Sequence, residues 1–275
     1  MKRTAYVQPL PSPDLEAKVD PIRVFDDVYY IGRKDVGVYA VTTSEGIVLI
    51  DSMDPSDAAE RYIIPGLKAV GLDPADIKLV LITHGHGDHY MGARHLQDKF
   101  GCKVALGLRD CANMMTYRYG GNRPDFPFID VVLEDMEPIV MGDHTFLPVL
   151  CPGHTPGGMS VIWNCHDGAE EHMVSLWVGR GAPHAIPDVE TQLKGCTDFL
   201  NSLYRFAGIC EEKGCDVVLG VHPHRCALFE KAEKLAARKP GDPHPFVVGP
   251  EGVKANLKNI ADYIMDKING IFKEM

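Results

Sequence analysis

A dense group of metal-binding side chains at the end of an apolar strand constrains this chain more than any other feature. The run Ile77–Ile82 is rich in Ile, Leu and Val, which predicts a buried strand. The segment Thr83–His89, with the sequence THGHGDH, follows it directly. Its two glycines are expected to let the backbone curl tightly. Its imidazoles and its carboxylate are therefore expected to face one point, which predicts a metal site.

The ligand types in this segment, from His84, His86, Asp88 and His89, favour zinc. Zinc takes imidazole and carboxylate ligands, polarises carbonyl oxygens and lowers the pKa of bound water. A single loop histidine is more often solvated or hydrogen-bonded than metal-bound. Several ligand-type side chains in one short segment reverse that preference, so we interpret the segment as part of a zinc site.

Two later segments offer the remaining ligands. His154 lies in the sequence CPGHTPGG after a β-rich run, and His222 follows another apolar run. Glycine or proline beside each histidine predicts an exposed turn at a strand end. If these strand ends share a common edge, both histidines reach the first segment.

The remaining pattern predicts an α/β protein in two layered halves. Short β-rich runs over residues 22–50 predict an antiparallel meander, and Pro65 is expected to kink or interrupt a helix over Ser56–Val70. Further strands are expected near residues 103–106, 131–133, 144–150, 159–163, 173–178 and 216–221, and further helices near 89–100, 189–213, 226–238 and 251–272. Strands followed by helices, twice over, are typical of a layered domain.

Charge and cysteine content bear on partners and compartment. The formal net charge of -10 and the absence of a basic run disfavour nucleic-acid binding. The N-terminal segment lacks the apolar core of a signal peptide, and no stretch approaches the roughly 20 apolar residues of a membrane-spanning helix. The cysteines form no CxxC pair, which fits reduced, buried thiols. We predict a cytoplasmic protein that acts on a small molecule and binds neither nucleic acid nor membrane; its oligomeric state is left open.

These motifs together resemble the metallo-β-lactamase superfamily. The resemblance is carried by TxHxHxDH after a buried strand, by PGHTPG downstream and by a late histidine at a strand end. The segments PIRVFDDVYYIG, VTTSEGIVLIDS and FEKAEKLAARKPGDPHPFVVGPEG are similar to the third β-lactamase subclass, which has histidine where others have cysteine. The resemblance implies a four-layer αββα sandwich. We expect one domain over residues 1–275, with an N-terminal extension (1–20) and a C-terminal helix (250–275).

The resemblance also implies how the ligands are shared. Two zinc ions per chain are expected, the first on His84, His86 and His154 and the second on Asp88, His89 and His222. Asp88 is the one side chain expected to act in catalysis, by orienting the nucleophile or by passing its proton to the leaving group. A histidine at position 86, where the flavodiiron relatives have a glutamate, argues against an iron site.

The chain departs from the superfamily pattern after the strand near residues 173–178. Many members carry a bridging aspartate in a Gly-Asp pair, and the third subclass has serines nearby instead, but this chain reads Gly179-Arg180-Gly181. Arg180 is a candidate for binding a substrate carboxylate in their place, with a solvated side chain as the equal alternative. His184 and His224 lie beside the proposed site loops and are further substrate-binding candidates.

The resemblance implies a binuclear zinc-dependent hydrolase that cleaves an amide, lactam or ester bond with a metal-bound hydroxide. The antibiotic-degrading relatives are exported and this chain shows no export signal, so an intracellular substrate is expected. A glyoxalase-like thioesterase or a lactonase is an alternative, although both are expected to have the aspartate that is missing here. A metal-binding protein that has lost turnover is the non-enzymatic alternative.

Overall fold

A computed structural model describes residues 7–8, 17–116, 118–119, 125–179, 181 and 188–274. The strands are β1 (Val7–Gln8), β2 (Lys18–Arg23), β3 (Val28–Arg33), β4 (Gly37–Thr43), β5 (Gly46–Ile50), β6 (Ile77–Leu81), β7 (Lys103–Gly107), β8 (Arg118–Tyr119), β9 (Val131–Leu133), β10 (Ile139–Met141), β11 (His144–Leu150), β12 (Met159–Asp167), β13 (Glu170–Leu176) and β14 (Val217–Leu219). The α-helices are α1 (Ile64–Ala69), α2 (Gly87–Tyr90), α3 (Ala93–Phe100), α4 (Leu108–Thr116), α5 (Val189–Glu212), α6 (Leu228–Ala236) and α7 (Gly249–Glu274). Short π or 3-10 turns lie at Ala59–Ile63, Pro74–Asp76 and Pro223–Arg225.

Two sheets form the centre of the molecule. The first has the spatial order β2-β3-β4-β5-β6-β7-β9, and the second has the order β10-β11-β12-β13-β14. Strands β2 to β5 pair antiparallel, as the meander predicts, whereas β5, β6, β7 and β9 pair parallel. The segments that follow β5 and β6 therefore emerge at the same edge of the first sheet.

Side-chain alternation along the strands separates two apolar cores. On β4, Tyr39 and Val41 belong to the core shared with the second sheet, whereas Val38 and Ala40 belong to the core beneath α1 and α3. This period of two is the geometry of a strand that is covered on both faces. The core that contains Tyr39 also takes in buried residues of α5 and α7. Helices thus cover both sheets, which confirms the αββα prediction.

The interruption predicted at Pro65 is present. A π-helical turn, Ala59–Ile63, runs directly into α1, so the backbone stays helical through Ile63 and Ile64 and the hydrogen-bond pattern changes just before Pro65. Strand β10 was not predicted, because three apolar residues in a row fit a strand, a helix or a loop equally well.

Several boundary predictions can be placed on the structure. Helix α7 packs against α5 and β14 and matches the C-terminal helix. Strand β2 begins at Lys18, inside the segment assigned to an N-terminal extension; the single-domain organisation stays a prediction. The cysteines are all free thiols, and all but Cys111 are buried. Within the described ranges, no helix has both the length and the apolar composition needed to cross a bilayer.

Candidate metal centre

The ligand-type side chains predicted from the sequence meet in two groups where β5 and β6 end. They are His84, His86 and His154 in the first group and Asp88, His89 and His222 in the second. Within each group the nitrogen and oxygen atoms lie within 4.8 Å of one another. The groups adjoin, since the ring centroids of His84 and His89 are 3.9 Å apart. The structure therefore brings together all six predicted residues, divided as expected.

The first group converges on nitrogens that carry lone pairs. His84 Nε2 lies 3.2 Å from His86 Nδ1 and 3.1 Å from His154 Nε2. The opposite nitrogens hold the protons, because His154 Nδ1 donates to the Gly181 carbonyl at 2.9 Å and His84 Nδ1 donates to Thr83 Oγ1 at 3.1 Å. The Nε2 atoms of His84 and His154 therefore face each other without a proton between them.

This arrangement fits a bound metal ion. Two lone pairs at this distance repel unless a cation lies between them. Zinc–nitrogen bonds of about 2.0–2.1 Å place tetrahedral ligand atoms about 3.3 Å apart, close to the 3.1 and 3.2 Å found here. Burial, and then the charges of neighbouring imidazoles, lower the pKa of His84 and of His154 well below the usual range. Both rings therefore stay neutral, as metal ligation requires.

The second group centres on the Asp88 carboxylate. Its Oδ2 lies 3.4 Å from His89 Nε2 and 3.6 Å from His222 Nε2. The outer nitrogen of His222 donates to the Asp35 carbonyl at 2.9 Å. Burial raises the pKa of Asp88, but His89 and His222 outweigh it and hold that pKa well below its usual range. An ionised carboxylate and two oriented imidazoles thus share one point.

Asp51 orients ligands of both groups and was not identified from the sequence. It is fully buried and has a φ of 66°. It accepts hydrogen bonds from the Thr83 backbone N–H at 2.7 Å, from Thr83 Oγ1 at 2.9 Å and from His89 Nδ1 at 2.6 Å. Because Thr83 Oγ1 in turn accepts from His84, one carboxylate fixes two rings. A signal was present, since Asp51 directly follows an apolar strand.

Asp110 joins two ligand-bearing loops. Its Oδ2 accepts the Gly85 N–H at 2.8 Å, and its Oδ1 accepts the Gly157 N–H at 2.7 Å. These bonds tie the loop of His84 to the loop of His154. Asp110 lies on α4, outside every motif, so no sequence pattern pointed to it.

Gly85 in the THGHGDH segment acts through its missing side chain and not through a left-handed backbone. Neither Gly85 nor Gly87 adopts a positive φ, so a tight curl does not require them. A Cβ on Gly85 would lie 2.7 Å from the Asp110 carbonyl oxygen. The segment does bend over residues 83–86, as predicted, and the missing side chain of Gly85 permits the close approach of α4.

A buried ion pair supports the turn that follows β5. Arg33 is fully buried, and its Nη2 lies 2.5 Å from Asp54 Oδ1 while its Nε lies 3.0 Å from Asp35 Oδ1. Burial, and then the charge of Asp88, raise the pKa of Asp54 to about 6. Arg33 thus pairs with two carboxylates beside the second group; neither Arg33 nor Asp54 lies in a sequence motif that predicts this role.

The predicted substrate-binding residues are only partly placed. Arg180 and His184 lie outside the described residues, and their roles stay predictions. His224 is exposed in the turn Pro223–Arg225, with its ring centroid 6.0 Å from that of His222. It therefore borders the second group.

Gly179 accounts for the missing bridging side chain. Its φ is +81°, and a Cβ at this position would lie 2.3 Å from His154 Cγ. A serine or an aspartate here requires the His154 ring to move. The departure from the superfamily pattern is therefore a steric consequence of where this chain places His154.

Replacing Gly179 with alanine is expected to weaken metal binding at the first group about 10- to 100-fold, because the added methyl group displaces a ligand ring. Competition with a chromophoric chelator would measure the affinity. Gly208→Ala is the matched control, since a Cβ at Gly208 meets nothing within 4 Å. Equal affinities in the two variants would contradict the steric argument.

A comparison with a protein-family model shows the family of this chain. The model of the metallo-beta-lactamase superfamily matches residues 31–168. The matched segment contains five of the six ligand-type residues; His222 lies beyond it. The chain belongs to the metallo-beta-lactamase superfamily.

The chain is also similar to individual curated proteins and to a solved structure. The N-acyl homoserine lactonase AttM of Azorhizobium caulinodans is 27% identical over 177 residues, which cover 60% of this chain and 66% of that protein. A hydroxyacylglutathione hydrolase of Acidiphilium cryptum is 30% identical over 129 residues, 46% of each chain. The matches thus span less than two thirds of either relative. The crystal structure of BJP-1, a subclass B3 metallo-beta-lactamase of Bradyrhizobium japonicum, has a TM-score of 0.77 at 25% identity and covers 95% of this chain and 98% of its own. The similarity to the third subclass is confirmed.

Proposed function

We propose that this protein is a metal-dependent hydrolase that cleaves an amide, lactam or ester bond of a small molecule. The observation that carries the proposal is the 3.1 Å approach of two buried nitrogens, His84 Nε2 and His154 Nε2, in rings whose other nitrogens are already hydrogen-bonded. Such a contact is unfavourable in a folded core unless a cation occupies it. The imidazole and carboxylate ligands suit zinc, and the two groups provide for two ions.

Bound zinc supplies a Lewis acid and lowers the pKa of water to near neutrality. The residues of the chain would hold the zinc ions and orient the rings that bind them. Asp51 and the Gly181 carbonyl fix the outer protons of His89 and His154, so that the inner nitrogens face the metal positions. Asp88, the carboxylate of the second group, is proposed to take a proton from the attacking water and pass it to the leaving atom.

The substrate class is the open part of this proposal. The names of the relatives and the structural neighbour indicate an N-acyl homoserine lactone, a hydroxyacylglutathione and a β-lactam. The sequence relatives favour a lactonase or a thioesterase as the second candidate, and the structural neighbour favours lactam cleavage. Arg180, His184 and His224 are proposed to contact the substrate. The free thiols support our proposal of a reducing, cytoplasmic compartment.

Initial hydrolysis rates of zinc-loaded protein with a chromogenic cephalosporin, an N-acyl homoserine lactone and a hydroxyacylglutathione test the proposal. We expect turnover of at least one substrate, abolished by a chelator and restored by zinc. Protein from which the metal has been removed is the matched control. Two bound metal ions without turnover of any of the three would favour a metal-binding protein that has lost catalysis.

A further inference from the structure

A second cluster of ligand-type side chains lies at the opposite end of the sandwich. Asp27 directly precedes β3, whose far end, Arg33, adjoins the metal centre. His144 begins β11, which runs toward the loop of His154, and His166 lies near the far end of β12. The ligand atoms of Asp27, His144 and His166 lie within 4.8 Å of one another. The proposed hydrolase does not use any of them.

The cluster converges on one carboxylate oxygen. Asp27 Oδ2 lies 3.0 Å from His144 Nε2 and 2.5 Å from His166 Nδ1. The His144 side chain is 1% exposed, and the Asp27 side chain is 12% exposed. His166 is 33% exposed, so solvent reaches the cluster at this ring. A metal ion can enter there, and water can complete its coordination.

The outer nitrogens of both histidines also face carboxylates. His144 Nδ1 lies 3.0 Å from Asp143 Oδ1, and His166 Nε2 lies 3.6 Å from Glu171 Oε2. A neutral imidazole carries one N–H, so in each ring one nitrogen would present a lone pair to a carboxylate. Either the rings are doubly protonated and the inner contacts of 2.5 and 3.0 Å are hydrogen bonds, or a cation replaces the inner protons. In the second case the inner atoms move apart to the roughly 3.3 Å of tetrahedral zinc ligands, while the outer N–H groups donate to Asp143 and Glu171.

The backbone already holds this cluster in place. The Asp26 N–H donates to the His166 carbonyl at 2.9 Å, and the His166 N–H donates to Asp27 Oδ1 at 3.1 Å. The second oxygen of Asp27 is thereby kept free of the backbone and aimed at both rings. A carboxylate behind each ligating imidazole is also the usual support of a metal-bound histidine.

We propose that Asp27, His144 and His166 form a further divalent-metal site, for zinc or an ion of similar ligand preference, separate from the hydrolytic centre. The ligand atoms are Asp27 Oδ2, His144 Nε2 and His166 Nδ1. Metal binding releases any protons on the inner nitrogens to solvent. The outer N–H groups of His144 and His166 continue to donate to Asp143 and Glu171. Because Asp27 lies beside the first sheet and both histidines lie on the second, the ion joins the two sheets.

Metal counting tests this site. Chelator-treated protein is dialysed against zinc, and bound zinc is measured per chain. We expect His166→Gln, a substitution at a partly exposed position, to bind one zinc ion fewer than wild type, with hydrolytic turnover unchanged. His95→Gln, which alters an exposed imidazole paired with Glu60, is the matched control and should bind as many ions as wild type. Equal zinc content in wild type and in His166→Gln would overturn the proposal.

A measurement on the unmodified protein removes any dependence on how the variant folds. Crystals of zinc-loaded wild type, recorded at the zinc absorption edge, should give an anomalous peak about 2.0–2.1 Å from His144 Nε2. Peaks at the His84 and Asp88 groups without one here would show that protons occupy the cluster, and would overturn this site while leaving the proposed hydrolase intact. If zinc-loaded wild type shows the peak at His144 but hydrolyses none of the tested substrates, that result would count against the hydrolase alone.

Discussion

Replacing Asp88 with asparagine is expected to lower kcat/KM about 100-fold or more for whichever carbonyl compound the protein cleaves. Asp88 supplies the one carboxylate oxygen of the second group, 3.4 Å from His89 Nε2. A neutral amide is a weaker ligand and does not accept the proton of the attacking water. Steady-state kinetics with metal analysis would measure both losses, and the free energy of unfolding should change little.

Asp98→Asn is the control for that experiment, because Asp98 is an exposed carboxylate on α3 that pairs with Arg94. It removes the same charge at a distance from the metal centre and should leave turnover unchanged. Turnover near that of wild type in Asp88→Asn would sink the catalytic assignment.

Replacing Arg33 with methionine is expected to lower the free energy of unfolding by about 3–5 kcal/mol, because it leaves the buried Asp54 carboxylate without its partner. Both side chains are essentially inaccessible, at 1% and 0% exposure. Urea denaturation monitored by circular dichroism would measure the change. The double variant Arg33→Met with Asp54→Leu should recover most of the loss, since it removes both buried charges.

The exposed pair of Arg94 and Asp98, with side chains 33% and 57% accessible, provides the comparison for this prediction. Arg94→Met should change the free energy of unfolding by less than about 1 kcal/mol, as surface ion pairs do. An Arg33→Met loss no greater than that of Arg94→Met would contradict a stabilising role for the buried pair.

The two groups of ligand-type residues could be predicted because their signal is local. His84, His86, Asp88 and His89 lie in one segment, and His154 and His222 stand beside glycine or proline at strand ends. Residue type and spacing are enough to recognise such a set. The layered fold was also accessible, because strands that alternate and helices of regular period leave their pattern in the chain.

The supporting residues could not be predicted in the same way, because their roles depend on contacts between distant segments. Asp110 binds Gly85 and Gly157 only because α4 lies between two loops. The pairing of Arg33 with Asp54 depends on the turn after β5 folding back toward β3. The reason for glycine at position 179 is the position of the His154 ring. No spacing rule encodes these distances.

The order of the ligands along the chain has a consequence for synthesis on the ribosome. His84, His86, Asp88 and His89 leave the exit tunnel first, but each group lacks a member until His154 and then His222 have followed. Neither group is complete while only the first sheet exists. If the two groups bind metal ions as proposed, complete binding therefore comes late, and a nascent chain cut short before His222 lacks one member of the second group.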